Sequence, residues 1–157
     1  MIKPLMKSEV FLRLPSVPAT PADAGVGRDL IDTLEAHRES CVGMAANMIG
    51  VTKRVIVFVD GGTAPERAGK GARSSALKRT AQEGTPRLMF NPRIVEHQGV
   101  YQTEEGCLSL AGVRPTQHYD RITVEFQDET FTACRETFTG FSPLRSSSTR
   151  STTATAC

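Results

Sequence analysis

The sequence lacks the features by which several classes of protein are recognised. It has no apolar run long enough to cross a bilayer, and its N-terminus lacks the basic, apolar and small-residue pattern of a signal peptide. Its formal net charge is only +2, which is no strong indication of binding to nucleic acid. We therefore expect a cytoplasmic protein with neither a membrane partner nor a specific nucleic-acid partner. Its 157 residues are enough to bury one core.

The sequence also lacks a recognisable pattern of cysteines. The four cysteines include no Cys-x-x-Cys pair and no zinc-finger spacing; they are Cys41, Cys107, Cys134 and Cys157. In a reducing cytosol such cysteines are expected to be thiols. Cys107 alone has unusual surroundings, because the segment Glu104–Leu110 combines an acidic pair, a flexible glycine and strand-forming residues. From these residues alone, Cys107 is a metal ligand, a nucleophile or a small buried residue.

Local patterns predict a helix and several strands. Residues 1–19 are expected to form an extended arm, because their prolines exclude a long helix. Thr20 and Asp23 flank Pro21 as in a capping box, which predicts a helix that ends near Ser40. Runs of β-branched and aromatic residues predict strands at Val55–Val59, Leu88–Phe90, Ile122–Phe126 and Phe131–Phe138.

Turn-forming residues separate these strands. Asn91-Pro92, Arg114-Pro115 and Asp128-Glu129 predict turns, the last of them a hairpin turn. Between the first two, Ile94-Val95 and Val100-Tyr101 predict a short pair of strands around a glycine.

Two stretches lack the apolar residues that a core requires. Residues 61–86 are rich in Gly, Ala, Arg, Lys and Thr and predict an exposed insertion loop; without aromatic residues, a solvated loop is favoured over one that binds nucleic acid. Residues 142–157 are almost all Ser, Thr, Arg and Ala and predict a disordered tail. The folded domain is therefore expected to span residues 1–141.

Residues 41–51 read Cys-Val-Gly-Met-Ala-Ala-Asn-Met-Ile-Gly-Val. Their small side chains permit close approach of the backbone to another element or to a ligand. A tight connection between a helix and a strand explains the same composition, so the residues alone leave both interpretations open.

Taken in order, these segments resemble the peptide deformylase family over about residues 20–141. Val42–Ala46 is similar to part of the family's first motif, Gly-x-Gly-φ-Ala-Ala-x-Gln, where φ is apolar. Glu105–Ser109 matches the second motif, Glu-Gly-Cys-Leu-Ser, in full, and the preceding Asn91-Pro92 is also similar to the family.

The resemblance implies an α+β fold with an N-terminal helix, antiparallel sheets and a central C-terminal helix that binds metal. It implies hydrolytic removal of the formyl group from the N-formylmethionine of nascent polypeptides. The implied cofactor is a divalent metal, Fe²⁺ or in its place Zn²⁺ or Ni²⁺. The implied partners are peptide N-termini presented at the ribosome.

The resemblance also assigns roles to single residues. Cys107 matches the metal ligand, and the backbone N–H of Leu108 matches the donor that stabilises the oxyanion. Gly43 matches the substrate-lining glycine of the first motif, and Glu105 with Gly106 matches the substrate-binding start of the second motif.

Two departures from the family's pattern concern catalysis. Met48 stands where the family has a catalytic Gln, and a thioether cannot donate a hydrogen bond. The family's other metal ligands are the histidines of a helical His-Glu-x-x-His, a motif that the sequence does not contain. His37, His97 and His118 have the wrong spacing, and each is expected to be a surface residue.

The tail suggests a reason for the missing motif. Codons for Ile-Gln-His-Glu-Ile-Asp-His-Cys-Asn, read from their second base, can encode the nine residues Ser147–Thr155. We therefore hypothesise a frameshifted chain that lacks the metal-binding helix, with part of the sheet exposed in its place. The alternative is a non-catalytic protein without a metal site that at most binds peptide N-termini. A nucleophilic Cys107 is a third reading, for which the sequence supplies no evident base.

Overall fold

The computed structural model describes residues 1–60, 84–106 and 113–139. Within these ranges the chain forms two α-helices, two 3₁₀ helices and a five-stranded antiparallel sheet of order β1-β2-β3-β4-β5. The predicted α+β class is confirmed. The elements are α1 (Glu9–Leu12), a 3₁₀ helix (Pro21–Asp23), α2 (Ala24–Ala36), β1 (Gly43–Ala45), a 3₁₀ helix (Ala46–Ile49), β2 (Val55–Asp60), β3 (Thr85–Gly106), β4 (Val113–Gln127) and β5 (Ala133–Thr139).

The helical segment begins where its capping pattern predicts, with the 3₁₀ helix Pro21–Asp23 leading directly into α2. The Thr20 N–H donates to Oδ2 of Asp23 at 2.8 Å, and Lys53 lies 3.1 Å from the same carboxylate. These contacts, with the Thr20 amide first, lower the pKa of Asp23 below its ordinary value. The helix ends at Ala36 rather than near Ser40, because the His37 N–H bonds back to Leu34 O in a tightened last turn.

The N-terminal arm is less extended than predicted, because it contains α1. This helix has only four residues and fits between the prolines of the arm. Oγ of Ser8 accepts a hydrogen bond from the Phe11 N–H at 3.3 Å, which is the usual arrangement of an N-cap.

Two predicted breaks after residue 92 are wrong. Gly99 and Pro115 both lie inside strands of one long hairpin, in which Gly106 pairs with Val113 at the far end. A Cβ at Gly99 would lie 2.3 Å from Oδ2 of Asp120, so this glycine (φ 65°) makes room for a side chain of the opposite strand. Within the described ranges Pro115 pairs only with β3, and such an edge position tolerates proline.

The Asn91-Pro92 signal marks a bend within β3 rather than the end of a strand. The register shifts between Phe90 and Arg93, and Asn91 adopts φ 51°, which asparagine tolerates better than most residues. Nδ2 of Asn91 donates to Ala19 O at 3.0 Å and to Oε1 of Gln127 at 2.6 Å. Before the bend β3 pairs with β2, and after it with β4.

The bend lets the sheet curl over itself. The rings of Phe58 in β2 and Phe138 in β5 lie 5.9 Å apart, although a flat sheet would hold strands three positions apart at about 14 Å. Phe58, Met89 and Ile122 on this face are at most 2% exposed. β4 and β5 thus pack against this face, and the exposure expected where the C-terminal helix is missing stays a prediction.

The other face of the sheet packs on α2. Its core combines Leu30 and Leu34 of the helix with Met44, Met48 and Val57.

The predicted insertion loop and the predicted disordered tail lie mostly outside the described residues. Thr85 and Pro86 open β3, so the C-terminal boundary of the predicted loop 61–86 was too late. Residues 61–83 and the predicted tail 142–157 lie outside the described ranges. In the described part of the chain, no helix is both long enough and apolar enough to span a membrane.

Candidate functional site

The first motif forms a strand and a single 3₁₀ turn. Residues 41–49 are all buried, and Gly43 pairs with Phe58 across β1 and β2. Sγ of Cys41 donates to Gly43 O at 3.0 Å, which closes the connection from α2. The segment is thus a tight helix-to-strand connection, as one of the two interpretations of its small residues expected.

The same segment offers backbone to a ligand. Among the described strands, β1 pairs only with β2, so it is an edge of the sheet. An extended peptide is a ligand that can lie alongside a strand of this kind. The absence of a side chain at Gly43 lets such a peptide approach closely.

Met48 belongs to the core on the α2 side. It is 2% exposed and lies in one apolar cluster with Leu30 and Leu34. Its backbone O accepts a hydrogen bond from the Met6 N–H at 2.8 Å. The position at which the first motif carries Gln therefore holds an apolar side chain that is packed against the main helix.

The start of the second motif lies at the end of the long hairpin. Glu105 and Gly106 are the last residues of β3, opposite Arg114 and Val113 of β4. Cys107 and Leu108 follow directly along the chain and lie outside the described residues. The structure thus brings Gly43 and Met48 together in one short segment, and the convergence of the two motifs stays a prediction.

The histidines are distributed over three elements. His37 follows α2, and exposed His97 on β3 has its ring 4.4 Å from that of Tyr119. His118 is only 1% exposed, so its predicted surface position was wrong. Its ring lies 5.6 Å from that of its cross-strand neighbour Tyr101, a packing that its sequence neighbours do not indicate.

The described residues do not fit the metal that the resemblance implies. Over residues 1–60, 84–106 and 113–139, no three His, Cys, Asp or Glu side chains come together as a group able to hold an ion. In the matched motifs Cys107 is the one ligand residue, and a catalytic site of this kind needs three protein ligands.

Sequence reasoning missed Asn47. This residue is 2% exposed, and its Nδ2 donates to Leu12 O at 3.1 Å. Its Oδ1 is buried and has no hydrogen-bond partner among the described residues. The available signal was a lone amide in a run of small and apolar residues.

Comparisons with known proteins agree on one family. The family model described as polypeptide deformylase matches residues 10–144. A peptide deformylase from Clostridium beijerinckii is 41% identical over 141 residues, which cover 90% of this chain and 88% of that protein. One from Thermus thermophilus is 33% identical over 109 residues, which cover 68% of this chain and 54% of that protein.

Solved structures show the same fold. A class I type b peptide deformylase from Acinetobacter baumannii superposes with a TM-score of 0.68 at 22% identity, covering 90% of this chain and 86% of that one. The peptide deformylase from Thermotoga maritima gives a TM-score of 0.66 at 22% identity, covering 89% of this chain and 83% of that one.

Proposed function

The chain belongs to the polypeptide deformylase family, and on that premise we propose that it acts in the cytoplasm on the formylated N-termini of nascent polypeptides. The observation that carries the proposal is the family match over residues 10–144, which contains the whole of Glu105–Ser109. The family's enzymes are metal-dependent hydrolases.

The chain's own residues would divide the work of binding the peptide. Gly43 would line one side of the substrate, where the absence of a side chain permits close approach, and Glu105 and Gly106 would line the other side. The backbone N–H of Leu108 would stabilise the charge that develops on the formyl oxygen. Met48 would add no hydrogen bond, because it is apolar and packed in the core.

The sequence does not contain enough ligand residues for a metal-dependent reaction. Cys107 is a single ligand, and one thiolate does not hold a divalent ion in a defined open site. The proposed cofactor is Fe²⁺, or Zn²⁺ or Ni²⁺ in its place. We expect it to bind to a chain in which the two histidines of His-Glu-x-x-His are restored. The second candidate function is a non-catalytic one, binding of peptide N-termini; the family match does not favour it, and it is considered because residues 1–157 contain no His-Glu-x-x-His.

One experiment compares three chains with the peptide formyl-Met-Ala-Ser. They are the chain as written, a repaired chain in which residues 147–155 become Ile-Gln-His-Glu-Ile-Asp-His-Cys-Asn, and the repaired chain with Cys107→Ala. We expect near-stoichiometric metal in the repaired chain and formate release at least about a hundredfold faster than in the other two. Metal content, formate release and binding of the peptide are measured on the same samples.

Each part of the proposal has its own failing outcome. Near-stoichiometric metal and equal formate release in the chain as written would overturn the idea that its metal site is incomplete. Failure of all three chains to bind the peptide would overturn the proposed function. A gene in which no single-base slip near the Phe141 codon opens a frame for His-Glu-x-x-His would exclude the frameshift.

A further inference from the structure

The N-terminal arm touches the first-motif segment on both sides. Before Gly50, the Met6 N–H donates to Met48 O at 2.8 Å, and Nδ2 of Asn47 donates to Leu12 O at 3.1 Å. After it, the Val17 N–H donates to Thr52 O at 2.9 Å. Residues 46–54 are therefore held by a part of the chain that precedes them by about 35 residues.

Asn47 is the one side chain among these contacts. Its bond to Leu12 O satisfies the last carbonyl of α1, which has no partner within so short a helix. Its Oδ1, however, is buried with no hydrogen-bond partner in the part of the chain that the structure describes, and a buried unsatisfied oxygen destabilises a fold. The amide thus satisfies the Leu12 carbonyl while its own oxygen stays unpaired, so its net contribution to stability is small, and what remains is the link that it makes between the arm and residues 46–54.

We propose that Asn47 is a positioning residue, through which the arm sets the place of the β1 edge and of the 3₁₀ helix that follows it. The 3₁₀ helix begins at Ala46, directly after the three residues of β1. A change in its anchoring is therefore transmitted to Gly43–Ala45 without any intervening loop. This inference rests on the proposed function in one respect, namely that the β1 edge is where a peptide binds.

The molecule offers a matched control at the other end of the same arm. Thr33 is 0% exposed, and its Oγ1 accepts a hydrogen bond from the Lys3 N–H at 3.0 Å and donates to Asp29 O at 2.6 Å. Thr33→Val removes a buried polar anchor of the arm and leaves the anchors of the first motif intact.

The test measures amide hydrogen exchange in the full chain by NMR. In Asn47→Leu we expect the amides of residues 43–51 to exchange at least about tenfold faster relative to those of Val55–Val59. In Thr33→Val we expect that ratio to stay as in the parent chain. Equal acceleration of both segments in Asn47→Leu would overturn the proposal.

A second variant and a second measurement test the same proposal independently of Asn47→Leu and of hydrogen exchange. Met6→Pro removes the N–H that donates to Met48 O and leaves Asn47 unchanged, and the same local acceleration is expected. Titration with formyl-Met-Ala-Ser should show at least about fivefold weaker binding in Asn47→Leu and none of this loss in Thr33→Val. If the parent chain does not bind the peptide, the proposed function fails, whereas the exchange ratio still decides the role of Asn47.

Discussion

The two motif-bearing regions of this molecule are held in different ways. The first motif is buried between α2, β2 and the arm, and Leu34 in the same apolar cluster is 0% exposed. The second motif begins at the end of a hairpin whose outer part pairs only β3 with β4 in the described ranges. Val100 in that outer part is 54% exposed. The first region is thus formed by the packing of the core, whereas the described start of the second, Glu105–Gly106, is held by strand pairing with Arg114 and Val113.

The largest difference is expected when each region loses apolar volume. Leu34→Ala should destabilise the chain by about 2–5 kcal/mol, because it leaves a cavity under the first motif. Val100→Ala, on the exposed hairpin, should cost less than about 1 kcal/mol. Urea unfolding measures both, and similar losses in the two variants would remove the contrast between the regions.

Two glycines in α2 test how tightly the core beneath the first motif is packed. A Cβ at Gly27 would lie 2.4 Å from Cδ2 of Leu88, whereas nothing lies within 4 Å of one at Gly25. Gly27→Ala should therefore cost about 1–3 kcal/mol through overpacking. Gly25→Ala should stabilise the chain by up to about 1 kcal/mol through helix propensity. Thermal unfolding should show shifts of opposite sign, and two stabilising shifts would mean that this core is loosely packed.

The smallest effect is expected at the turn of the β4–β5 hairpin, which is polar and exposed and lies outside both motif-bearing regions. Oδ1 of Asp128 accepts hydrogen bonds from the side chain and N–H of Thr130 and from the Thr132 N–H, at 2.7, 2.8 and 3.0 Å. These bonds, with the Thr130 side chain first, lower the pKa of Asp128 below its ordinary value. Because the folded-state pKa is depressed, the added stability is present above the unfolded-state pKa and is lost as pH falls through the folded-state pKa.

The corresponding variant is Asp128→Asn. Its thermal midpoint should lie slightly below that of the parent chain above about pH 5, and the two should converge as pH falls below about 4. A gap that stays constant over this range would mean that the Asp128 charge does not contribute to the stability of the turn.

Local patterns predicted the elements whose causes are local. The capping residues Thr20 and Asp23 set the start of the main helix, and Asp128 forms its hairpin turn with neighbours two and four residues along the chain. Gly99 and Pro115 led to wrong predictions of breaks, because Gly99 makes room for Asp120 of the opposite strand and Pro115 pairs only with β3 in the described ranges. Asn91-Pro92 was likewise predicted to be a turn that ends a strand, whereas it is a bend within β3. The bonds of Asn91 to Ala19 and Gln127, which hold this bend, join residues distant in sequence and could not be predicted from local patterns.

The sequence by itself determined the family and the identities of the motif residues, including Met48 at the Gln position and the lack of His-Glu-x-x-His. Only the tertiary structure decided that β4 and β5 cover the sheet, that His118 is buried and that Asn47 is anchored to Leu12. The physical reason is separation along the chain. A motif is written in adjacent residues, whereas burial and anchoring depend on residues that folding alone brings together.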